Sequence, residues 1–157
     1  MKLLPTRPLR EFSAREWTTL ISAVPVVLMV RLGLSTLTFK SLVERLRTYA
    51  TRFSGAPASE EEVRRLAWAV NAIGGRILGS RPCLTQALAL QFLLWRRDVD
   101  TELRIGVDKD ENGQLLAHAW VVRDGRVLIG GHLSEMKYRP LPGLQQKVME
   151  RTEGRTT

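Results

Sequence analysis

Two side chains in this sequence could do nucleophilic chemistry together: the single cysteine, Cys83, and the first of two histidines, His118. Cysteine attacks as its thiolate, so it needs surroundings that lower its pKa. Cys83 directly follows Pro82, a residue suited to a helix's first turn because its missing N–H would have no partner there. Residues 83–97 are apolar on most faces and predict a buried central helix. The unpaired N–H groups and positive dipole end at such a helix start favour thiolate over thiol, and Arg81 adds positive charge. The same N–H groups could hold the oxyanion of a tetrahedral intermediate. His118 sits in the alternating run 114–122, between Ala117 and Ala119, whose small side chains leave room around the imidazole. A helix-start cysteine and a strand histidine make a workable thiolate–imidazolium pair for acyl chemistry. Each also has a plain structural reading: a small buried hydrophobe for Cys83, and a half-buried strand residue for His118.

Neighbouring side chains offer supporting roles. Gln86 and Thr85 follow Cys83 by about one helical turn; Gln86 could donate to an oxyanion or touch substrate, or simply cap or meet solvent. Trp120 shares the strand face of His118 by alternation, and either shields the imidazole, walls a substrate site or packs in the core. His132, after a glycine pair, reads as a loop residue. One cysteine rules out an intrachain disulfide, and two histidines are too few for a zinc centre without carboxylate help. No metal and no other cofactor is expected.

The elements that must position this pair read as helices first and strands afterwards. Ser13 and Glu16 form a capping-box pattern ahead of the apolar stretch 17–39. Pro25 and Arg31 interrupt that stretch, which favours a core helix or docking surface over a bilayer span, with Pro25 kinking or dividing it. Leu42, Val43, Leu46, Tyr49 and Phe53 mark an amphipathic helix over 40–53. Residues 54–59, SGAPAS, read as a linker. Ser59 then caps a helix whose first turn holds Glu60, Glu61 and Glu62, and whose buried stripe is Val63, Leu66, Ala67, Val70 and Ile73. After the cysteine helix, 101–107, 114–122 and 126–131 predict three strands, with Asp124-Gly125 as a two-residue hairpin turn. The expected architecture is α+β in a single domain. It comprises an N-terminal helical region (1–53), the linker, a core (60–142) with its cysteine helix on an antiparallel sheet, and a polar tail (143–157).

The chain has 157 residues, 44% of them hydrophobic, enough for one modest core. Its net charge of +8 predicts attraction to an acidic partner without choosing one. Arginine is spread along the chain rather than set in a dense stripe with aromatics, which argues against nucleic acid. No secretory signal is evident at the start, and a cytoplasmic location suits a thiol that must stay reduced.

The segments PCLTQALALQFLLWRR (82–97), ELRIGV (102–107) and AHAWVVRDGRVLIGG (117–131) together resemble the lasso-peptide leader peptidases. These B proteins are similar in their core to transglutaminases and papain-like peptidases. The resemblance implies that Cys83 is the nucleophile and His118 its base. It implies cleavage of the leader from a ribosomally made precursor peptide. It also implies two partners: a separate leader-recognition protein, since the chain resembles the stand-alone form, and an asparagine-synthetase-like cyclase. The alternatives are a transglutaminase-type acyl transfer using the same groups, and a non-catalytic basic adaptor. One departure stands out. The family pattern often has an Asp about 12 residues after the histidine, where this chain has Gly130 and Gly131. A regular two-residue hairpin would set those glycines opposite His118 and leave Asp124 at the turn, roughly 20 Å along the strand. A dyad, a backbone carbonyl, Glu135 or a partner's side chain would then have to orient the imidazole.

Overall fold

The structure is a computed structural model that describes residues 13–77, 83–109, 113, 115–131 and 139–140. Among the described residues four helices, α1 (Ala14–Thr36), α2 (Phe39–Arg52), α3 (Glu60–Ile77) and α4 (Cys83–Trp95), precede four strands. These are β1 (Glu102–Lys109), β2 (Leu115–Arg123), β3 (Arg126–Ile129) and the two-residue β4 (Arg139–Pro140), in one antiparallel sheet ordered β3-β2-β1-β4. The architecture is the expected α+β one.

Local chemistry starts and stops the helices. Ser13 Oγ accepts from the Glu16 N–H at 3.3 Å while Glu16 Oε2 accepts from the Ser13 N–H at 2.7 Å, closing the capping box that opens α1. Ser59 and Glu62 repeat that exchange at the start of α3, at 3.3 and 3.0 Å. Thr38 caps α2 through its hydroxyl. α4 closes two residues earlier than the apolar run suggests. Asp98 takes a left-handed φ of 50°, so the N–H groups of Asp98 and Val99 turn back to the carbonyls of Trp95 and Leu94. This is a Schellman closure, and Val99 tucks into the core beyond it.

α4 is the pivot of the fold. Every residue from Thr85 to Leu94 is buried, with Leu88, Leu90 and Leu94 fully enclosed. α1, α2 and α3 pack around it on one side, and β1, β2 and β3 on the other. Both glutamines within this run bond internally: Gln91 donates to the Thr101 carbonyl at 3.1 Å, and Gln86 turns toward Asn71 of α3. Residues 54–59 are held against the end of α4, through Gly55 N–H to the Arg96 carbonyl and Ala58 N–H to that of Arg97.

α1 corrects one expectation. Of kinking and division, the structure overturns division: α1 is one helix of 23 residues that continues through Pro25. Proline removes a hydrogen bond to the carbonyl four residues back, here Ile21. Pro25 and Ile21 both face solvent, so water can take the orphaned carbonyl. The remaining surface of α1 is two-sided. Ala23, Val27, Val30 and Gly33 are buried, whereas Trp17, Ile21, Leu28, Met29 and Leu32 are exposed. By length and composition it is also apolar enough to cross a membrane.

The sheet carries a second departure. Asp124 and Gly125, both at positive φ, make the expected two-residue turn and pair Arg123 with Arg126. A bulge between Val121 and Val122 then shifts the β2–β3 ladder so that Val121 faces Ile129. One residue is thereby added to β3, and its glycines are offset from the positions that an even hairpin count assigns them.

Because α4 is enclosed on all sides, Leu88→Ala should lower the unfolding free energy by about 2–5 kcal/mol. Urea denaturation followed by circular dichroism would measure it; a loss below about 1 kcal/mol would show that α4 is not the pivot described.

Candidate active site

Cys83 begins α4, and His118 stands midway along β2, the strand that packs on that helix. The two side chains are hydrogen-bonded to each other. Cys83 is half-buried. Burial alone would push its thiol up. The hydrogen bond from His118, the N–H of Ala119, the charge of His118 and the N–H of Leu84 together outweigh that and bring the thiol below its ordinary value. His118 moves the other way. The hydrogen bond to Cys83 raises the imidazole, burial opposes this, and the Gly130 carbonyl and the thiolate charge add to the rise. A thiol driven down and an imidazole driven up favour the thiolate–imidazolium form, which is the reactive state of a cysteine nucleophile.

The imidazole is held from behind. His118 Nε2 lies 2.7 Å from the carbonyl oxygen of Gly130. A carbonyl only accepts, so Nε2 carries a proton and donates it, and Nδ1 is the nitrogen left for the sulfur. Of the orienting groups weighed from the sequence, the backbone carbonyl is the one the fold supplies. Glu135 and His132 lie outside the described residues, as do Arg81 and Pro82. Asp124 stays at the turn, its carboxylate 3.4 Å from Arg123 Nε.

An acidic side chain cannot stand at Gly130 without rearrangement. The glycine sits at φ +107°, and a Cβ built on it would fall 2.4 Å from Trp120 Cβ and 3.0 Å from Trp120 Cα. The bulge brings Gly130 against Trp120, and only a glycine fits. The carbonyl performs the orientation that a side chain cannot.

The other two candidates land differently. Trp120 is fully buried, and its ring stacks beside His118 with centroids 6.1 Å apart and planes 19° from parallel. It therefore shields the imidazole and is not part of the cleft wall. Its indole N–H is buried without a hydrogen-bond partner among the described residues. Gln86 does line the cleft, but its amide N–H donors point to the carbonyl and side-chain oxygens of Asn71, at 3.3 and 3.5 Å. The carboxamide lies directly on Gly74, where any Cβ would collide with it.

Cys83 and His118 open onto a cleft of about 530 Å³, walled by Arg64, Ala67, Trp68 and Asn71 of α3 and by residues 127–131 at the end of the β2–β3 hairpin. Periodicity alone did not single out Arg64, Trp68 and Asn71 as site residues. Their signal was present at spacings of four and three, which put all three on one helix face.

Two outcomes are expected. Gly130→Ala should displace the carbonyl and slow alkylation of Cys83 by iodoacetamide at pH 6, where a free imidazole contact matters most; an unchanged rate would show that the carbonyl does not orient the ring. In the wild type, alkylation should persist below the pH range of an ordinary thiol, because the folded thiol is lowered. His118→Ala should move the alkylation midpoint upward, since the largest stabilising contacts are removed. A midpoint that stays in place would refute the pairing.

This arrangement can form and resolve an acyl-thioester, and comparison with known families agrees with it. Residues 26–142 match the model of the transglutaminase-like superfamily, which includes cysteine peptidases and acyltransferases. No curated protein and no solved structure matches the chain. From the middle of α1 to the last strand, this chain belongs to the transglutaminase-like superfamily.

Proposed function

We propose that the protein is a cysteine peptidase that removes the leader from a ribosomally made lasso precursor peptide. The observation that carries this reading is the hydrogen-bonded Cys83–His118 pair at the mouth of a cleft large enough for a few peptide residues. The resemblance of segments 82–97, 102–107 and 117–131 to leader peptidases supports the choice of substrate. Superfamily membership supports the chemistry.

In this reading the steps use the Cys83–His118 pair and the start of α4. The Cys83 thiolate adds to the carbonyl carbon of the leader–core bond, and N–H groups at the start of α4 stabilise the oxyanion. Imidazolium His118 gives its Nδ1 proton to the departing amine, so the C–N bond breaks and a thioester to the leader remains. The now neutral Nδ1 takes a proton from water, whose oxygen attacks the thioester. The leader leaves as a carboxylic acid, and the thiolate is restored with its imidazolium partner. Throughout, Nε2–H stays on the Gly130 carbonyl and prevents the ring from turning. In this reading the protein works in the cytoplasm, where a separate leader-recognition protein presents the precursor and an asparagine-synthetase-like cyclase takes up the freed core amine.

Mixing the protein with a lasso precursor and its leader-recognition protein should release free leader, detected by mass spectrometry. Cys83→Ala and His118→Ala should each reduce the rate by at least about 10³-fold while leaving circular dichroism unchanged. Leader joined to an added amine, with no free acid, would mean a transglutaminase-type transfer instead. Cleavage that survives Cys83→Ala would end the cysteine-peptidase reading, and salt-sensitive binding with no cleavage and no response to a thiol alkylator would favour a basic, non-catalytic adaptor.

A further inference from the structure

The cleft is longer than the reaction needs, and its two walls run the same way. Asn71 contacts Gln86, one turn into α4 from Cys83, so it marks the reacting end. From there Trp68 and Arg64 continue along one face of α3, seven residues or about 10 Å in all. On the facing wall, Gly130 marks the reacting end through its hydrogen bond to His118, and Ile129, Leu128 and Val127 lead away from it for a similar length, about 10 Å. α3 and α4 are antiparallel, since Glu62 near the start of α3 pairs with Arg97 beyond the end of α4 at 2.7 Å. Arg64 therefore stands at the far end of a groove that begins at the sulfur.

The charge at that far end is arranged by its neighbours. The first turn of α3 holds three carboxylates, and each is paired with a different arginine. Glu60 meets Arg123 at 2.7 Å, Glu61 meets Arg65 at 3.3 Å, and Glu62 meets Arg97. Arg64, adjacent in sequence to Arg65, is exposed, lines the cleft and forms no ion pair with a described residue. Its guanidinium presents a planar fork suited to a carboxylate. The stretch between it and the sulfur is apolar, with Trp68 and Ala67 on one side and Val127 to Ile129 on the other.

We propose that this groove binds an extended peptide segment carrying an acidic side chain about three residues from the bond that is cut, with Arg64 receiving the carboxylate. The spacing comes from the 10 Å between the reacting end and Arg64, divided by roughly 3.3 Å per extended residue. Apolar or small residues occupy the middle of the groove against Trp68. This deepens the peptidase reading by naming a feature of its substrate, and it rests on that reading only for the occupant being a peptide. Arg64 is a specificity residue; it stands away from the reacting atoms.

The test needs no precursor. Short bromoacetyl peptides carrying Glu, Gln or Lys at the first to fifth position from the bromoacetyl group would be compared as labels of Cys83, by intact-protein mass spectrometry at low salt. The Glu probe should label faster than Gln by up to about fivefold, with its maximum near the third position, and the advantage should shrink as salt is added. Arg64→Gln should abolish the preference, and Arg64→Glu should transfer it to the Lys probe. Iodoacetamide should label all three proteins equally, which shows that the thiolate and fold are intact. Equal labelling by Glu and Gln probes at every position, or a Glu preference that survives Arg64→Gln, would overturn the proposal. A preference that behaves as expected in a protein unable to cleave the lasso precursor would sink the leader-peptidase reading and leave the acidic groove standing.

Discussion

A hydrogen bond of 2.7 Å between His118 Nε2 and the carbonyl of Gly130 sets the state of the whole site. It assigns the proton to Nε2, leaves Nδ1 for the sulfur and prevents the ring from turning away. A carboxylate would do the same and also add negative charge that stabilises imidazolium. A neutral carbonyl adds only its dipole. More of the pairing must then come from the thiolate itself, and from the Leu84 and Ala119 N–H groups that lower the thiol. The Cys83–His118 pair is steered by backbone.

That steering depends on a defect in the sheet. Without the bulge at Val121–Val122, the two-residue turn would carry β3 along β2 in even register. The extra residue presses Gly130 against Trp120 at a positive φ that side chains avoid, and swings its carbonyl toward the imidazole. Trp120, enclosed behind His118, forms the floor on which this corner is built. A bulge, a glycine and a tryptophan together build the corner that holds the imidazole.

The remainder of the fold keeps the helix start and the strand in fixed relation. α4 is surrounded by three helices and three strands, so its first residue has little freedom to drift. The ion pairs from the first turn of α3 reach both parts of this frame, Arg97 after α4 and Arg123 at the end of β2. Each is partly exposed and contributes little to stability by itself. Their geometric effect is to align α3 along the cleft and to leave Arg64 facing it. On the outer side, α1 packs on α3 and α4 and presents Trp17, Ile21, Leu28 and Leu32 to the surroundings. Apolar stripes of this kind mark contact surfaces.

Much of this was legible in the residues themselves. Ser13–Glu16 and Ser59–Glu62 announced helix starts because capping is a local exchange of hydrogen bonds over four residues. The all-round apolar character of α4 required a central place, and Asp124-Gly125 required a tight turn, since few other pairs accept two positive φ angles. Cys83 at a helix start and His118 on a strand between alanines were visible as partners for the same reason: each signal lies within a few neighbours. Other features depend on contacts between segments distant in sequence. The course of α1 through Pro25 was decided by which side of the helix met water, and the shift of Gly130 by one bulged residue in the ladder. The exclusion of Trp120 from the cleft and the place of Arg64 at its far end came from the packing of α3 against β3. A pattern of residue types can nominate a nucleophile and a base, because their chemistry is intrinsic. Which carbonyl turns the ring and which arginine lines the cleft are outcomes of three-dimensional packing, where a shift of one residue changes every neighbour.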